Sequence, residues 1–439
     1  MNDPTAMRFD GTSVSVANGP KPPATAARRL RIAVFVSEFP ALSETFVLRQ
    51  VIGLLARDHD VTVFADRPRD EPLTHPDFER GGLAAHTRYL QMPANRPLRV
   101  IAALGVLLRH GRRDPTVLWR ALNVARHGRD AFNLRLLFWS LQLLGEEPFD
   151  VLHCHFGPVG EMVAKLREIG AVRGRLVTTF HGADLTVYLR DRPQRYRQLM
   201  RQGDLFVAIS DYLGRRLTGL GCRPSQVAVL RMGVDLQRFV ERPRHRDSNA
   251  PLRVLTIGRL VEKKGIADAL HAVADARRRG IALTYTIIGD GPLRRRLKGL
   301  ARELGIEDVV GFTGWQVHDA IIEALYHHDV LLAPSVTASD GDQEGIPVTL
   351  MEAMATGMAV ISTRHSGIPE LIEDGVSGYL AEEGDQAALA DALERLATTP
   401  ELTVTMGHAA CRRVTELHDA TALDDALDAR LRALASIPD

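Results

Sequence analysis

Apolar residues recur along this chain in short runs separated by amphipathic stretches. The first run, residues 30–36, leads through a loop at 37–42 into a segment reaching residue 59, in which Val47, Val51, Leu54 and Leu55 share one face at helical spacing. Ser43 stands where it can cap that helix. Further runs of strand length fall at 61–65, 151–155, 176–180, 205–209 and 227–230, with amphipathic segments between most of them. Strands that alternate with helices predict a doubly wound parallel sheet covered on both faces. The stretch 81–145 breaks this rhythm and reads as a helical insertion.

The polar segment 241–250 has no periodicity and reads as a linker. Beyond it the alternation restarts, with strand-like runs at 254–257, 284–288, 309–312, 330–332, 359–362 and 379–380. The reading is therefore an α/β chain of two tandem Rossmann-like domains, 29–240 and 251–415. A tail at 1–28 precedes them, and a segment at 416–439 follows whose helix is expected to pack back on the first domain. Ligands of such domains sit at the carboxyl ends of the strands, which here would face a common cleft.

Composition narrows the picture. A chain of 439 residues with 45% hydrophobic and 25% charged residues has ample apolar material for two cores. Its net charge of +1 gives no whole-chain attraction to nucleic acid, so no nucleic-acid partner is expected. Cys154, Cys222 and Cys411 are too scattered for a disulfide framework and suggest a reducing compartment. The first 28 residues are rich in Pro, Gly, Ser and Ala and lack the apolar core of roughly 7–15 residues that a signal peptide needs. The apolar run 100–108 is far shorter than the ~20 residues of a spanning helix. The expected location is the cytoplasm, with at most peripheral contact at the cytoplasmic face of the membrane.

The densest chemistry lies in Glu344-Gly-Ile-Pro-Val-Thr-Leu-Met-Glu352. Pro347 suits the first turn of a helix, because its missing N–H costs nothing there. The free N–H groups of Val348 and Thr349 would offer a seat for a phosphate, and Gly345 would let backbone approach a ligand closely. Strand 254–257 ends in Gly258-Arg259-Leu-Val-Glu-Lys-Lys264. Two cations and a helix N-terminus can balance a diphosphate leaving group. Arg259 and Lys264 are the candidates; Lys263 reads as a solvated lysine.

Several motifs together resemble one family. They are the glutamates 344 and 352 separated by seven residues, Gly-Arg-Leu at 258–260, Ile-Gly-Asp-Gly-Pro at 288–292, Val-Gly-Phe-Thr-Gly at 310–314 and Thr-Phe-His-Gly-Ala-Asp at 179–184. Across residues 32–413 the chain resembles glycosyltransferase family 4, whose members are retaining enzymes of the GT-B fold, two Rossmann-like domains facing a deep cleft. Phe-Pro-Ala-Leu-Ser-Glu-Thr-Phe at 39–46 is similar to the branch making colanic-acid-like exopolysaccharides. The resemblance implies transfer of a hexose-type sugar from a UDP- or GDP-linked donor to a saccharide or undecaprenyl-diphosphate-linked acceptor, with no cofactor and no metal.

Carried over residue by residue, the resemblance places Arg259 and Lys264 on the diphosphate, Glu352 on the ribose and Glu344 over the sugar ring. Gly314 and Trp315 would meet the base edge, and Gly289 to Gly291 would wall the nucleotide, with Gly258, Gly345 and Ile346 in the same site. His181 would stand beside the reacting carbon, with Asp184 following in its motif. Many relatives carry a glycine pair in the loop before the first helix. Here residues 40–45 contain none, so Ser43 and Glu44 are offered as acceptor contacts in their own right, with His155 and Asp184.

Other patterns lead elsewhere. Asp340-Gly-Asp342 looks like a metal-binding Asp-x-Asp pair but falls in a polar loop, and His153-Cys-His155 lacks further zinc ligands in its neighbourhood. Residues 96–135 hold nine arginines against two aspartates, interleaved with apolar residues. That segment reads either as helices with a solvated basic face or as a surface for anionic lipid. A paired-Rossmann oxidoreductase would need Gly-x-Gly-x-x-Gly after the first strand, which residues 37–42 do not contain. A non-catalytic sugar-nucleotide scaffold and a GT-B epimerase remain as competing functions, separable by donor hydrolysis and by acceptor product.

Overall fold

The computed structural model describes residues 28–41, 44–68, 76–90, 92–110, 114–190, 192, 194–247 and 250–437. The tail at 1–27 and Ser43 lie outside these residues. Seven parallel strands form the first sheet: β1 Arg31–Glu38, β2 Asp60–Arg67, β3 Thr87–Tyr89, β4 Val151–His155, β5 Arg175–Phe180, β6 Leu205–Ala208 and β7 Val227–Val229. Six more form the second: β8 Leu252–Ile257, β9 Leu283–Ile288, β10 Val310–Gly314, β11 Val330–Ala333, β12 Ala359–Thr363 and β13 Tyr379–Ala381. The spatial orders are β3-β2-β1-β4-β5-β6-β7 and β10-β9-β8-β11-β12-β13. Each order reverses at its middle, between β1 and β4 and between β8 and β11, and those reversals open the crevices where α/β sheets bind ligands.

Both faces of each sheet are covered, as parallel sheets require. In β1, Ile32, Val34 and Val36 join one apolar cluster while Ala33 and Phe35 join the other. In β4 and β12 every residue is buried. The stretch 81–145 is helical for the most part, but it also contributes β3, whose Thr-Arg-Tyr sequence carries no apolar run to announce it.

The domain boundary falls earlier in the packing than a linker at 241–250 suggests. Val234 and Phe239 already belong to the second domain's core. The polar segment itself is pinned: Arg244 donates to the carbonyls of His328 at 2.5 Å and Leu325 at 2.8 Å, and Arg246 to that of Ala397 at 2.6 Å. The return crossing runs beside the first. Val234 N donates to His418 O at 2.8 Å and Ala420 N to Val234 O at 3.1 Å. Helix Pro400–His418 packs on the second domain through Ala410 and Val414, whereas helix Ala420–Ala435 buries Leu427 and Leu431 in the first. Among the described residues no helix is long and apolar enough to cross a membrane.

Candidate active site

The carboxyl ends of β1, β4 and β5 face those of β8, β10 and β11 across a cavity of about 630 Å³. From the first domain come Ser37, Glu38, Glu44, Phe46, Phe156 and His181; from the second come Arg259, Lys263, Lys264, Trp315, Glu344 and Glu352. Such a volume suits a ligand of nucleotide-sugar size.

His181 follows β5 immediately. Its ring lies 4.5 Å from that of Phe46 and 4.6 Å from that of Phe156, centroid to centroid, and its Nε2 is 3.1 Å from His155 Nδ1. Burial pushes its pKa down to about 3, so the imidazole is neutral. Its Nδ1 is buried without a hydrogen-bond partner among the described residues. Beneath the loop, Asp184 accepts from the backbone N–H groups of Gly157 at 3.1 Å, His181 at 3.1 Å and Gly182 at 2.9 Å.

The second domain supplies a cation cluster. Lys264 Nζ stands 3.1 Å from Glu344, and Lys263 Nζ stands 3.3 Å from Glu344 and 3.0 Å from Asp342. Burial alone would raise the Glu344 pKa, but Lys264 and Lys263 outweigh it and hold the carboxyl down at about 2. Arg259 is exposed, lines the cavity and has no ion-pair partner among the described residues. Helix Val348–Ala355 points its amino end at the same place; its first backbone bond is Leu350 N to Pro347 O, so the amides of Val348 and Thr349 precede it. A buried His365 steadies the approach: its Nε2 accepts the Glu344 N–H at 3.0 Å while its Nδ1 side faces Glu383.

Glu352 lies one turn into that helix and is 9% exposed. Burial raises its pKa to about 7, against the opposing pull of Arg49 and Arg238. A carboxyl so poised gains most from ligand hydroxyls that donate to its charged form.

The two domains touch at glycines. A Cβ on Gly345 would stand 2.7 Å from the carbonyl oxygen of His181 and 2.7 Å from Ile209 Cδ1. Gly182, at φ +129°, faces the Gly345 nitrogen in turn. Second-domain Glu370 accepts from Asp211 N at 2.8 Å and Tyr212 N at 2.7 Å, closing the contact beside it.

Several expected placements change. Asp184 is completely buried and His155 is 1% exposed, so both support His181 from behind rather than reach an acceptor. Lys263 is no solvated lysine: it is 8% exposed and ion-paired. Asp342 is committed to that lysine, and among the described residues no cluster of three metal-ligating side chains forms. The close approach that Gly345 permits is to His181 backbone. Gly289, Gly291 and Gly314 stand outside the cavity wall. A Cβ at Gly289 would lie 2.0 Å from Gly258 O and one at Gly291 2.7 Å from Leu260 O, so these glycines let two loops cross. Gly258 makes room for the Lys264 stem, whose Cε would be 3.2 Å from its Cβ. Trp315, Ile346, Val348, Thr349 and Glu44 do line the cavity.

Residues 43–238 match Glycosyltransferase Family 4, and residues 237–413 match Glycosyl transferases group 1. WcaL of Salmonella typhimurium, a glycosyltransferase assigned to colanic acid biosynthesis, is 42% identical over 82% of this chain and 89% of its own length. The chain belongs to glycosyltransferase family 4. A second relative of this glycosyltransferase, the amylovoran biosynthesis glycosyltransferase AmsK of Erwinia amylovora, is 38% identical over 84% of this chain and 90% of its own. Among solved structures, Anabaena HepE in complex with UDP and glucose superposes with a TM-score of 0.68 at 18% identity, covering 93% of this chain and all of its own. That likeness concerns the fold, which is GT-B: two Rossmann-like domains across a cleft.

Proposed function

We propose that this enzyme transfers a hexose-type sugar, with retention and without a metal, from a UDP- or GDP-linked donor to a saccharide or undecaprenyl-diphosphate-linked acceptor in exopolysaccharide assembly. It would work in the cytoplasm, at the membrane face. The observation that carries the reading is the cation cluster at a helix amino end inside the interdomain cavity. Arg259, Lys264 and the amides of Val348 and Thr349 supply fixed positive charge where the diphosphate departs. The names of WcaL and AmsK support a role in exopolysaccharide synthesis, and the UDP and glucose bound by HepE support a nucleotide-sugar donor.

In this mechanism the bond between the anomeric carbon and the phosphate oxygen breaks as charge develops against Arg259 and Lys264. The acceptor hydroxyl forms the new bond on the same face, and its proton passes to the departing phosphate oxygen. Lys264 is shared: without donor it pairs with Glu344, and a diphosphate would compete for it. Glu344 then lies over the sugar, Glu352 accepts from the ribose hydroxyls, and His181 stands beside the reacting carbon. Two carboxylates do not imply a glycosidase-like double displacement, because Glu352 is occupied by ribose.

The test is incubation with a panel of UDP- and GDP-sugars plus a polyprenyl-diphosphate saccharide in excess chelator, with NMR assignment of the new anomeric centre. Expected are free nucleoside diphosphate and a product that keeps the donor configuration. Dependence on added magnesium or manganese, an inverted product, or epimerised donor with no product would each overturn the reading.

A further inference from the structure

Of the fifteen large apolar side chains exposed among the described residues, eight fall between residues 98 and 132. Helix Arg96–His110 is the centre of this patch. Its inner face packs on the first domain's core through Ala102, Ala103, Val106 and Leu107. Its outer face carries Leu98, Ile101, Leu104 and Leu108, spaced three, three and four apart and therefore on one stripe, at 57, 66, 58 and 87% exposure. A helix with a merely solvated basic face would turn these residues inward. This one is apolar on both sides, and one side has no cover among the described residues. Trp119 at 76% and Phe132 at 71% are exposed on the helices that follow.

The charge around the stripe is one-sided. Both acids among residues 96–135 are already engaged: Asp114 caps helix Pro115–Ala121 through Val117 N, and Asp130 pairs with Lys165. Arg96 and Arg109 flank the stripe at its two ends, and Arg120 and Arg129 are exposed on the helices that follow, all four without an ion pair among the described residues. The segment contains no lysine, so every cation in it has the planar fork that grips phosphate in pairs of bonds.

A relay of contacts connects the patch to the cleft. Arg99 Nη1 donates to Asn133 O at 3.0 Å, joining the start of the helix to the turn after Phe132. Arg135, two residues on, pairs with Asp66 near the end of β2, and neighbouring Arg67 pairs at 2.5 Å with Glu38, which lines the cavity. Apolar side chains that insert shallowly, ringed by phosphate-gripping cations, match an anionic bilayer surface.

We propose that this face, with the stripe Leu98, Ile101, Leu104 and Leu108 in the acyl boundary and Arg96, Arg109, Arg120 and Arg129 on lipid phosphates, seats the first domain on an anionic phospholipid bilayer so that the cleft opens at the membrane. It deepens the lipid-linked acceptor reading above, on which its purpose rests, but it is measured apart from catalysis.

The full-length protein is sedimented with vesicles of phosphatidylglycerol and phosphatidylethanolamine, and with phosphatidylcholine alone, across a salt series. Binding is expected to the anionic vesicles only and to weaken as salt rises. Each arginine lost should cost about five-fold in partition, so Arg96→Gln/Arg109→Gln/Arg120→Gln should cost about a hundred-fold. Ile101→Gln/Leu104→Gln should also release the protein, while leaving transfer to a water-soluble acceptor unchanged because neither residue lines the cavity. Failure of the wild type to bind anionic vesicles, or wild-type binding by both variants, overturns the proposal. A concentration-dependent dimer abolished by Ile101→Gln/Leu104→Gln overturns it too, by giving the face to a second copy. An enzyme that binds vesicles but transfers no sugar refutes the functional reading and leaves this one standing.

Discussion

Replacing Lys263 by Met keeps the aliphatic stem and deletes the charge that sits 3.0 Å from Asp342 and 3.3 Å from Glu344. Removing one partner of a buried ion pair costs about 3–5 kcal/mol. Here Lys264 still neutralises Glu344, and the Asp342 side chain is 26% exposed, so the expected loss is smaller, about 2 kcal/mol. The same change should draw Lys264 wholly to Glu344 and away from a diphosphate, lowering kcat/KM for donor. Acid adds a second readout. Because the native pKa of Glu344 is depressed, its contribution is complete above the ordinary carboxylate value of 4.5 and is lost as pH falls toward about 2. Lys263→Met raises that native value, so the acid-dependent loss should still begin near 4.5 but be smaller and end at a higher pH than in the wild type. The assays are urea unfolding at neutral and acid pH and steady-state donor titration. A solvated lysine would change stability by less than about 0.5 kcal/mol. A variant within that margin, with kcat/KM within two-fold of wild type, refutes the cluster as described.

Three further outcomes are expected. Arg259→Ala should cut turnover roughly 10²–10³-fold, with only partial recovery in Arg259→Lys, measured as kcat in the transfer assay. Glu352, poised at about 7, should release a proton when a nucleotide sugar binds near pH 6.5, seen by calorimetry in buffers of different ionisation enthalpy and absent in Glu352→Gln. Gly345→Ala puts a methyl 2.7 Å from the His181 carbonyl, so it should lose most turnover while still binding free nucleoside diphosphate at the second domain.

The fold was legible because both sheets are parallel and buried on two faces, which writes each strand as an apolar run. β3 was not: Thr87–Tyr89 is short and at the sheet's edge, where nothing demands a run of apolar residues. In the site, Arg259, Lys264, Glu344 and Glu352 were readable because a strand end and a helix start are local features. What escaped depends on the approach of the two domains. Nothing local to Gly345 marks the His181 carbonyl as its neighbour. Asp184 and His155 are polar, so they read as cleft residues, although the loop folds over one and His181 covers the other. Lys263 lies in a 3₁₀ turn too short to show a periodic face, and only the tertiary position of Asp342 and Glu344 reveals that it points inward.

One glutamate is proposed to serve the reacting sugar and the other the unreacting ribose. The most direct measurement is donor steady-state kinetics on Glu344→Gln and Glu352→Gln, paired with calorimetry of free nucleoside diphosphate on both. Glu352→Gln should raise the donor KM more than it lowers kcat and should weaken the nucleotide, because ribose contacts are the same in ground and transition states. Glu344→Gln should lower kcat while free nucleoside diphosphate still binds nearly as well. Normal nucleotide binding by Glu352→Gln together with lost binding by Glu344→Gln would reverse the two roles, and wild-type behaviour in both variants would refute both.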